Sequence, residues 1–325
     1  MGQIVDVFIT DESALEYWRL FRLSKDKRTH RPSQKKLPCE SPDSYALRHG
    51  ETWGISLPLD IMLSARNARR PSKAIRPHVC FGPLPDGVFV NADNGLYVSS
   101  PEFCFFRMAS EYPLAKLIAL GIELCGSYTL PPKASNSEEQ SDPKKTPYNL
   151  PQLTSKKKLK AFVDHMGGWP GYKQALKALH YISDGSASPM ETILAILLTL
   201  PYKYGGYGLP MPELNGRIFP KKGMGQFAGR GFYRGDLLWR KDDLVAEYNS
   251  YQEHADPNYI IKDAVRRGDL ALRGITEVTV TKEQIKSTAL FDKIAKQIAA
   301  RLGRRLRYDD AEFNKARRDL RNVFF

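Results

Sequence analysis

The sequence has few cysteines, and none of them stand at a redox or metal-binding spacing. Four occur in 325 residues, and no C-x-x-C or mixed Cys/His zinc pattern is present. We interpret all four as reduced, buried thiols, which argues against a disulfide scaffold and against the common structural zinc sites. They are Cys39, Cys80, Cys104 and Cys125.

Long apolar runs are also missing. The longest, Ile193 to Leu200, is much shorter than the roughly 20 residues that cross a bilayer. The N-terminal stretch Met1 to Asp6 lacks the basic start and the apolar run of a signal peptide. We therefore expect a cytoplasmic protein with no membrane partner.

The sequence also has fewer acidic than basic residues. The chain has 36 Asp and Glu against 49 Lys and Arg, which gives a net charge of +13. Such an excess favours a polyanionic partner, DNA above all, although a basic surface without that role is the alternative. The basic, glycine-rich stretch from Lys221 to Arg230 is not a P-loop, because no Gly-Lys-Ser/Thr ends it.

The most informative stretch predicts a β-hairpin. Gly235–Arg240 and Leu244–Asn249 have strand character, and a polar turn separates them. Folding the hairpin about its centre places Asp236 opposite Glu247, on the same face of the sheet. Because strand side chains alternate, Asn249 shares the face of Glu247.

Two carboxylates held this close repel each other unless one takes up a proton or a cation lies between them. Mg²⁺ or Mn²⁺ is the natural occupant, since such cations prefer oxygen ligands and are often held by one or two carboxylates. A metal-bound water could then attack a phosphodiester. The alternative is that Asp236 and Glu247 are solvated or paired with Lys or Arg.

These residues also carry a family resemblance. The series Asp236, Glu247-Tyr248-Asn249, His254, Asp263 and Arg266-Arg267 resembles the very-short-patch-repair (Vsr) branch of the PD-(D/E)XK nucleases. The resemblance implies a catalytic group of Asp236, Glu247, Asn249 and His254, with metal held by Asp236 and Glu247. It implies that Asp263, Arg266 and Arg267 organise the site or bind phosphate. Asn249 departs from the pattern, because the relatives have Asp there and the wider superfamily has Lys.

Several of these residues have an ordinary structural alternative. Glu191, three residues after Ser188, fits a helix capping box, yet it also stands where the resembled nucleases place an acid near the metal. Asp263 could form a simple intrahelical ion pair with Arg266 or Arg267. His254 could shuttle a proton or be a surface histidine.

The order of predicted elements indicates an α/β protein. Helix, three strands, helix, strand and helix is the order of a restriction-endonuclease-like core, a mixed sheet flanked by helices. We expect an N-terminal α+β domain over 1–130, a linker over 131–155 and the nuclease-like domain with a basic tail over 156–325. The N-terminal stretches His78-Val79, Leu84-Pro85, Gly95 to Pro101 and Met108-Ala109 resemble AbiEi-type antitoxin and regulator relatives.

Two functions follow from the sequence. One is a metal-dependent DNA endonuclease. The other is a DNA-binding regulator or antitoxin-like protein on a degenerate nuclease fold, which Asn249 favours because an amide cannot accept a proton as a carboxylate does. A regulatory protein partner is left open.

Overall fold

The computed structural model of the protein describes most of the chain and confirms the α/β class. The described residues are 6–24, 30–43, 53–65, 71–80, 82–92, 94–132, 147–220, 227, 231–249, 257–306 and 310–325, without the side chains of 257–260. They form two compact units. Unit 1 comprises Met1–Leu124 and Thr129–His180, and unit 2 comprises Cys125–Tyr128 and Tyr181–Phe325.

Unit 1 contains a six-stranded mixed sheet and five helices among its described residues. The sheet order is β2-β5-β6-β1-β3-β4, with β1–β6 and β3–β4 parallel. The elements are β1 (Val7–Ile9), α1 (Asp11–Leu23), β2 (Arg31–Pro32), β3 (Leu59–Leu63), β4 (Ile75–Val79), β5 (Phe89–Asn91), β6 (Leu96–Ser99), α2 (Pro101–Met108), α3 (Leu114–Leu124), α4 (Lys156–Asp164) and α5 (Tyr172–Leu179).

Local sequence signals account for several of these elements. β5 and β6 form an antiparallel pair, as the Asn-Gly turn predicts, and Asn94 and Gly95 both have positive φ. The hydroxyl of Ser100 accepts a hydrogen bond from the Phe103 amide and caps α2. Three of the four cysteines are buried, but Cys39 is exposed, which corrects the expectation that all four are internal.

The division between the units differs from the predicted linker and domain boundary. Residues 133–146 of the predicted linker lie outside the described residues, but its end belongs to unit 1: the Leu153 amide donates to Leu124 O over 3.1 Å. Helices α4 and α5 were assigned to the second domain, yet they too are part of unit 1. On α4, Phe162 packs its ring against Phe103 and Phe106 of α2, and this apolar contact explains the difference.

Unit 2 has a four-stranded mixed sheet in the order β10-β9-β8-β7, with β9 and β10 parallel and the other pairs antiparallel. The order along the chain is helix, three strands, helix, strand and further helices. The elements are α6 (Pro189–Thr199), β7 (Glu213–Ile218), β8 (Tyr233–Trp239), β9 (Leu244–Asn249), α7 (Pro257–Leu272), β10 (Thr276–Thr281), α8 (Lys282–Lys286), α9 (Thr288–Arg301) and α10 (Ala311–Asn322).

Strands β8 and β9 approach closely beside the predicted site. A Cβ added to Gly235 would lie 2.4 Å from Val245 Cγ2, so glycine is required at that position. A buried cluster that includes Val245, Tyr233 and Leu270 of α7 holds this part of the sheet and the helix together. The residues that flank Gly235 in the chain are therefore held by a packed core.

Part of the basic tail serves the fold of unit 2. Arg317 pairs with Asp292 of α9 at 2.8 Å, and the buried Arg321 donates to the Ile285 carbonyl over 2.6 Å. Across the described residues, no helix is both long and apolar enough to cross a membrane.

Candidate metal centre

The β8–β9 hairpin brings Asp236 and Glu247 together. Leu237 pairs with Ala246, and continuing that register by one residue sets Asp236 opposite Glu247. The two side chains are within hydrogen-bonding reach of each other. Asp236 Oδ2 also accepts a hydrogen bond from the Tyr248 amide at 2.8 Å, which fixes the orientation of the carboxyl group. The pairing of Asp236 with Glu247 expected from the hairpin agrees with this register, and their role in holding a metal stays a prediction.

An irregularity in the neighbouring ladder lies at the same place. The β7–β8 register runs through Leu214–Leu237 and Gly216–Gly235 but skips the position between them, which holds Asn215 and Asp236. Asn215 has a φ of 51°, a conformation that is uncommon for a residue with a side chain. Asn and Asp adopt it more readily than other residues, and Asp11 of unit 1 has a similar φ of 50°.

Glu191 lies at the start of α6. Its backbone takes part in the helix cap, and its side chain lies near Asp236. Its amide donates to the Ser188 hydroxyl, as in a helix cap. Its Oε2 accepts from the Ala187 amide at 2.9 Å and from the Asn215 side-chain amide at 2.6 Å. Burial and then the nearby charge of Asp236 raise the pKa of Glu191 to about 7.

Helix α7 and strand β10 complete the cluster with charges of both signs. Glu277 pairs in register with Val245, so alternation along β9 puts it on the face of Glu247. Arg266 forms an ion pair with Glu247, and its Nη1 lies 3.8 Å from Glu277 Oε2. Arg267 bridges Glu277, at 3.2 Å, and Asp263, at 2.8 Å.

The carboxylates are incompletely neutralised. Burial raises the pKa of Asp236 to about 6, against the opposing effects of the Tyr248 amide and Arg266. Burial and the charge of Asp236 raise the pKa of Glu247 as well, and Arg266 only partly offsets them. Near neutral pH some of these carboxyl groups therefore remain protonated. A cation bound in addition to Arg266 could replace those protons.

The donor atoms here are of the kind that Mg²⁺ or Mn²⁺ prefers, although among the described residues the three-residue group with ligand atoms within 4.8 Å of one another is Asp11, His78 and Glu111. Asp236 and Glu247 offer oxygen ligands from adjacent strands, and Glu191 offers a further one close to Asp236. These ligands are hard, charged and nearly dry, which suits a divalent metal of this type.

The remaining predicted residues are placed as follows. Asn249 is the last residue of β9, where it pairs in register with Thr281 of β10. Asp263 and Arg267 form the intrahelical pair that the sequence offered as the ordinary alternative, although Arg267 also reaches Glu277. His254 lies outside the described residues.

Two members of the site, Asn215 and Glu277, were not predicted from the sequence. Asn215 lies inside β7, which begins at Glu213. Glu277 lies in a strand that was predicted, and a charged residue inside a buried, parallel strand is a usable signal. Its partner strand could not be inferred from local sequence.

Unit 1 has its own cluster of ionisable side chains. Ligand atoms of Asp11, His78 and Glu111 lie within 4.8 Å of one another. Asp11, however, is held by two hydrogen bonds of 2.8 Å from the Arg107 guanidinium. His78 lies between Asp11, at 3.0 Å, and Asp60, at 2.9 Å, so protein partners already fill this cluster.

Comparison with known proteins gives relatives without an assigned activity. No family model matches the chain, and no solved structure matches it. Two uncharacterized proteins of Mycobacterium tuberculosis, MT2308 (strain CDC 1551 / Oshkosh) and Rv2248 (strain ATCC 25618 / H37Rv), are each 28% identical to it over 142 residues. The alignment covers 44% of this chain and 47% of each relative, so the chain spans about half the length of the curated relatives it matches.

Proposed function

We propose that unit 2 is a Mg²⁺- or Mn²⁺-dependent endonuclease that hydrolyses DNA phosphodiester bonds. The observation that carries this proposal is the contact between Asp236 and Glu247, two carboxyl groups on adjacent strands whose pKa values are both raised. The resemblance to Vsr-like PD-(D/E)XK nucleases and the net charge of +13 point the same way. We place the activity in the cytoplasm.

Each residue has a distinct part in this scheme. Asp236 and Glu247 would hold the cation, which supplies Lewis-acid stabilisation of the phosphate and a more acidic attacking water. Glu191, with its pKa near 7, is suited to take the proton of that water as its oxygen attacks phosphorus. The bond from phosphorus to the leaving oxygen then breaks, and His254 is the proposed source of the proton that this oxygen takes up.

The positive residues of α7 bind and orient. Arg266 lies beside Glu247 and can turn its guanidinium toward a phosphate oxygen once a cation occupies the carboxylates. Arg267 is held by Asp263 and Glu277 and keeps α7 in place over the sheet. Asn249 can orient a water molecule by hydrogen bonding, but it cannot take up a proton.

The test is nicking of supercoiled and mismatched plasmid by the full chain in Mg²⁺ or Mn²⁺. Asp236→Ala, Glu247→Ala and the double variant should each lose at least about 100-fold in rate and be equally inactive, because the two residues act as one unit. Asp242→Ala, which removes an exposed acid from the same hairpin, is the matched control and should retain activity. Equal cleavage by Asp236→Ala and the unaltered chain would refute the proposal.

The second candidate is a DNA-binding regulator or antitoxin-like protein without catalysis. Arg266 favours it, because a guanidinium already occupies a cationic position beside Glu247. Calorimetry separates the two functions: Mn²⁺ binding that Asp236→Ala abolishes supports the enzyme. Salt-sensitive DNA binding without any Mn²⁺ binding supports the regulator.

A further inference from the structure

One end of the β7–β8 ladder carries two aromatic and two cationic side chains. Arg217 on β7 pairs in register with Arg234 on β8. Beyond them, the rings of Phe219 and Phe232 have centroids 5.8 Å apart. The guanidinium carbons of Arg217 and Arg234 lie 4.9 Å and 5.9 Å from the centre of the Phe232 ring. These four residues are called the Phe-Arg platform below.

Three of the four platform residues are exposed, and among the described residues the platform has no acidic partner. Phe219 is 55% exposed, and both arginines are exposed. Within the described part of the chain, no ion pair joins Arg217 or Arg234 to a carboxylate, whereas Arg240 on the same sheet pairs with Glu213 at 2.5 Å. Two like charges over one ring repel each other, and an anion between them would remove that cost.

The surrounding sequence strengthens the positive potential. Between β7 and β8 the chain contains Lys221, Lys222 and Arg230 and no acidic residue. Aromatic rings beside cations that have no carboxylate partner among the described residues are the chemistry that binds single-stranded nucleic acid: a base stacks on a ring and phosphates contact the charges. Neither a membrane nor an acidic peptide would use the exposed ring faces in this way.

A cleft beside the platform extends from Phe232 and Arg234 to Arg266, the residue that pairs with Glu247. The cleft has a volume of about 530 Å³ and is lined by Gly231, Phe232, Tyr233, Arg234 and Arg266. Arg266 Nη2 donates to the Arg234 carbonyl at 3.2 Å, and the same guanidinium pairs with Glu247. A strand that lies on the platform would therefore lead its next phosphate along Arg266 to the acidic pair.

We propose that the Phe-Arg platform binds an unpaired nucleotide next to the bond that is cleaved. The base stacks on the exposed ring of Phe219, with Phe232 beside it, and its phosphate is bound by Arg217 and Arg234. The substrate class is then a single strand, a flap or a frayed end, because a base inside an intact duplex has no free face for stacking. This inference rests on the proposed function, since it assigns the substrate of that site.

The test measures binding without metal, so that it does not depend on cleavage. The full chain is titrated in EDTA against three labelled probes of roughly 12 nucleotides: an oligothymidylate, an abasic strand with the same phosphates, and a duplex. Phe219→Ala should weaken oligothymidylate binding about tenfold and leave abasic binding unchanged, because stacking is lost and the phosphate contacts remain. Leu290→Ala, which removes an exposed apolar side chain elsewhere, is the matched control and should bind as the unaltered chain.

The arginines should behave differently from the phenylalanine. Arg217→Gln should weaken both single-stranded probes and reduce the slope of log affinity against log salt by about 0.7, as expected for one lost phosphate contact. Lys241→Gln, an equal charge change at the exposed β8–β9 turn, should leave both unchanged.

Three results would overturn the inference. They are equal losses on oligothymidylate and abasic strands for Phe219→Ala, tighter binding of the duplex than of the single strand, and a Phe219-dependent self-association in sedimentation that makes the platform an interface between copies. Loss of plasmid cleavage in Asp236→Ala with no effect of Phe219→Ala on any probe would leave the endonuclease standing without this substrate. Stacking in EDTA with no cleavage in any metal would leave the platform standing without the endonuclease.

Discussion

The two units each bury a group of acidic side chains, but they neutralise them differently. In unit 1, Asp11 receives both arms of the Arg107 guanidinium, and Asp60 receives Arg76 at 3.1 Å and His78 at 2.9 Å. The buried Glu123 likewise pairs with Arg19, and the buried Glu16 accepts hydrogen bonds from the Ser56 amide and hydroxyl. In unit 2, Glu191 is held by the amides of Ala187 and Asn215, Arg266 is shared between Glu247 and Glu277, and Arg267 divides its contacts between Glu277 and Asp263.

The difference separates a cluster that maintains the fold from one that is suited to a ligand. Breaking a fully paired buried ion pair is costly, but its carboxylate has no free position for a further cation. Incompletely neutralised acids raise each other's pKa values and destabilise the ligand-free protein, and a bound cation would relieve that repulsion. Metal chemistry is therefore expected in unit 2, although Asp11, His78 and Glu111 have closer metal-ligand spacing.

The largest expected effect comes from breaking a pair in unit 1. Arg107→Met should lower the free energy of unfolding of unit 1 by about 3–5 kcal/mol, because it leaves the buried Asp11 carboxylate without its cation. Native-state hydrogen exchange over β1 and β3 measures the loss. The double variant Asp11→Asn/Arg107→Met should recover part of it, and a single variant as stable as the unaltered protein would contradict the account.

The stability of unit 2 should depend on pH, because its acids are incompletely neutralised. Its acids have folded-state pKa values above the unfolded ones, so the folded chain binds more protons between about pH 4.5 and 7. The stability of unit 2 without metal should therefore fall as the pH rises through that window, by on the order of 3 kcal/mol. Hydrogen exchange over β8 and β9 would report it.

Removing the acids should remove this dependence of the stability of unit 2 on pH. Glu191→Gln combined with Asp236→Asn should flatten the profile of unit 2, whereas Asp242→Asn, an exposed acid of the same hairpin, should leave it unchanged. A profile that rises with pH in the unaltered chain would mean that the carboxylates are already neutralised.

Metal addition sharpens the same comparison. At pH 7.5, Mn²⁺ at a hundredfold excess over its dissociation constant should stabilise unit 2 by about 2.7 kcal/mol and leave unit 1 unchanged. Asp236→Asn should abolish the gain. Mn²⁺-dependent protection confined to unit 1 would instead place a metal at Asp11, His78 and Glu111 and reverse the assignment.

The smallest expected effect concerns Asn215. Its side-chain amide lowers the pKa of Glu191 by hydrogen bonding, so losing it should raise that pKa further and cost about 1 kcal/mol of stability. Asn215→Gly is the appropriate change, because glycine tolerates the φ of 51° and isolates the role of the amide. The midpoint of the pH profile of cleavage should move upward, and an unmoved midpoint would show that the bond only anchors α6.

The hairpin could be predicted because its register depends on local sequence. The polar turn from Lys241 to Asp243 sets the centre of the hairpin. The alternation of side chains along each strand then puts Asp236 and Glu247 on the same face. The capping signal at Ser188 likewise located the start of α6 and the position of Glu191. These parts required no knowledge of distant contacts.

The parts that could not be predicted depend on pairing between distant segments. Glu277 joins the site only because β10 lies parallel to β9, and Asn215 only because the β7–β8 ladder skips one position. The rings of Phe162, Phe103 and Phe106 assign α4 to unit 1, and helix periodicity does not reveal which sheet a helix covers. Arg317 and Arg321 belong to the basic tail, and the sequence does not reveal that they bind unit 2 itself.

Gly235 and Asp236 are neighbours in the chain, but substitutions at the first should affect folding and substitutions at the second should affect function. Any side chain at Gly235 would enter the space of Val245 Cγ2, so substitutions there should reduce the amount of folded protein in a cell. Substitutions at Asp236 relieve repulsion, so they should maintain or increase that amount while abolishing function. A library scored once for abundance and once for activity would therefore show opposite responses at two adjacent codons, and other residues whose variants keep abundance but lose activity would mark the rest of the working surface.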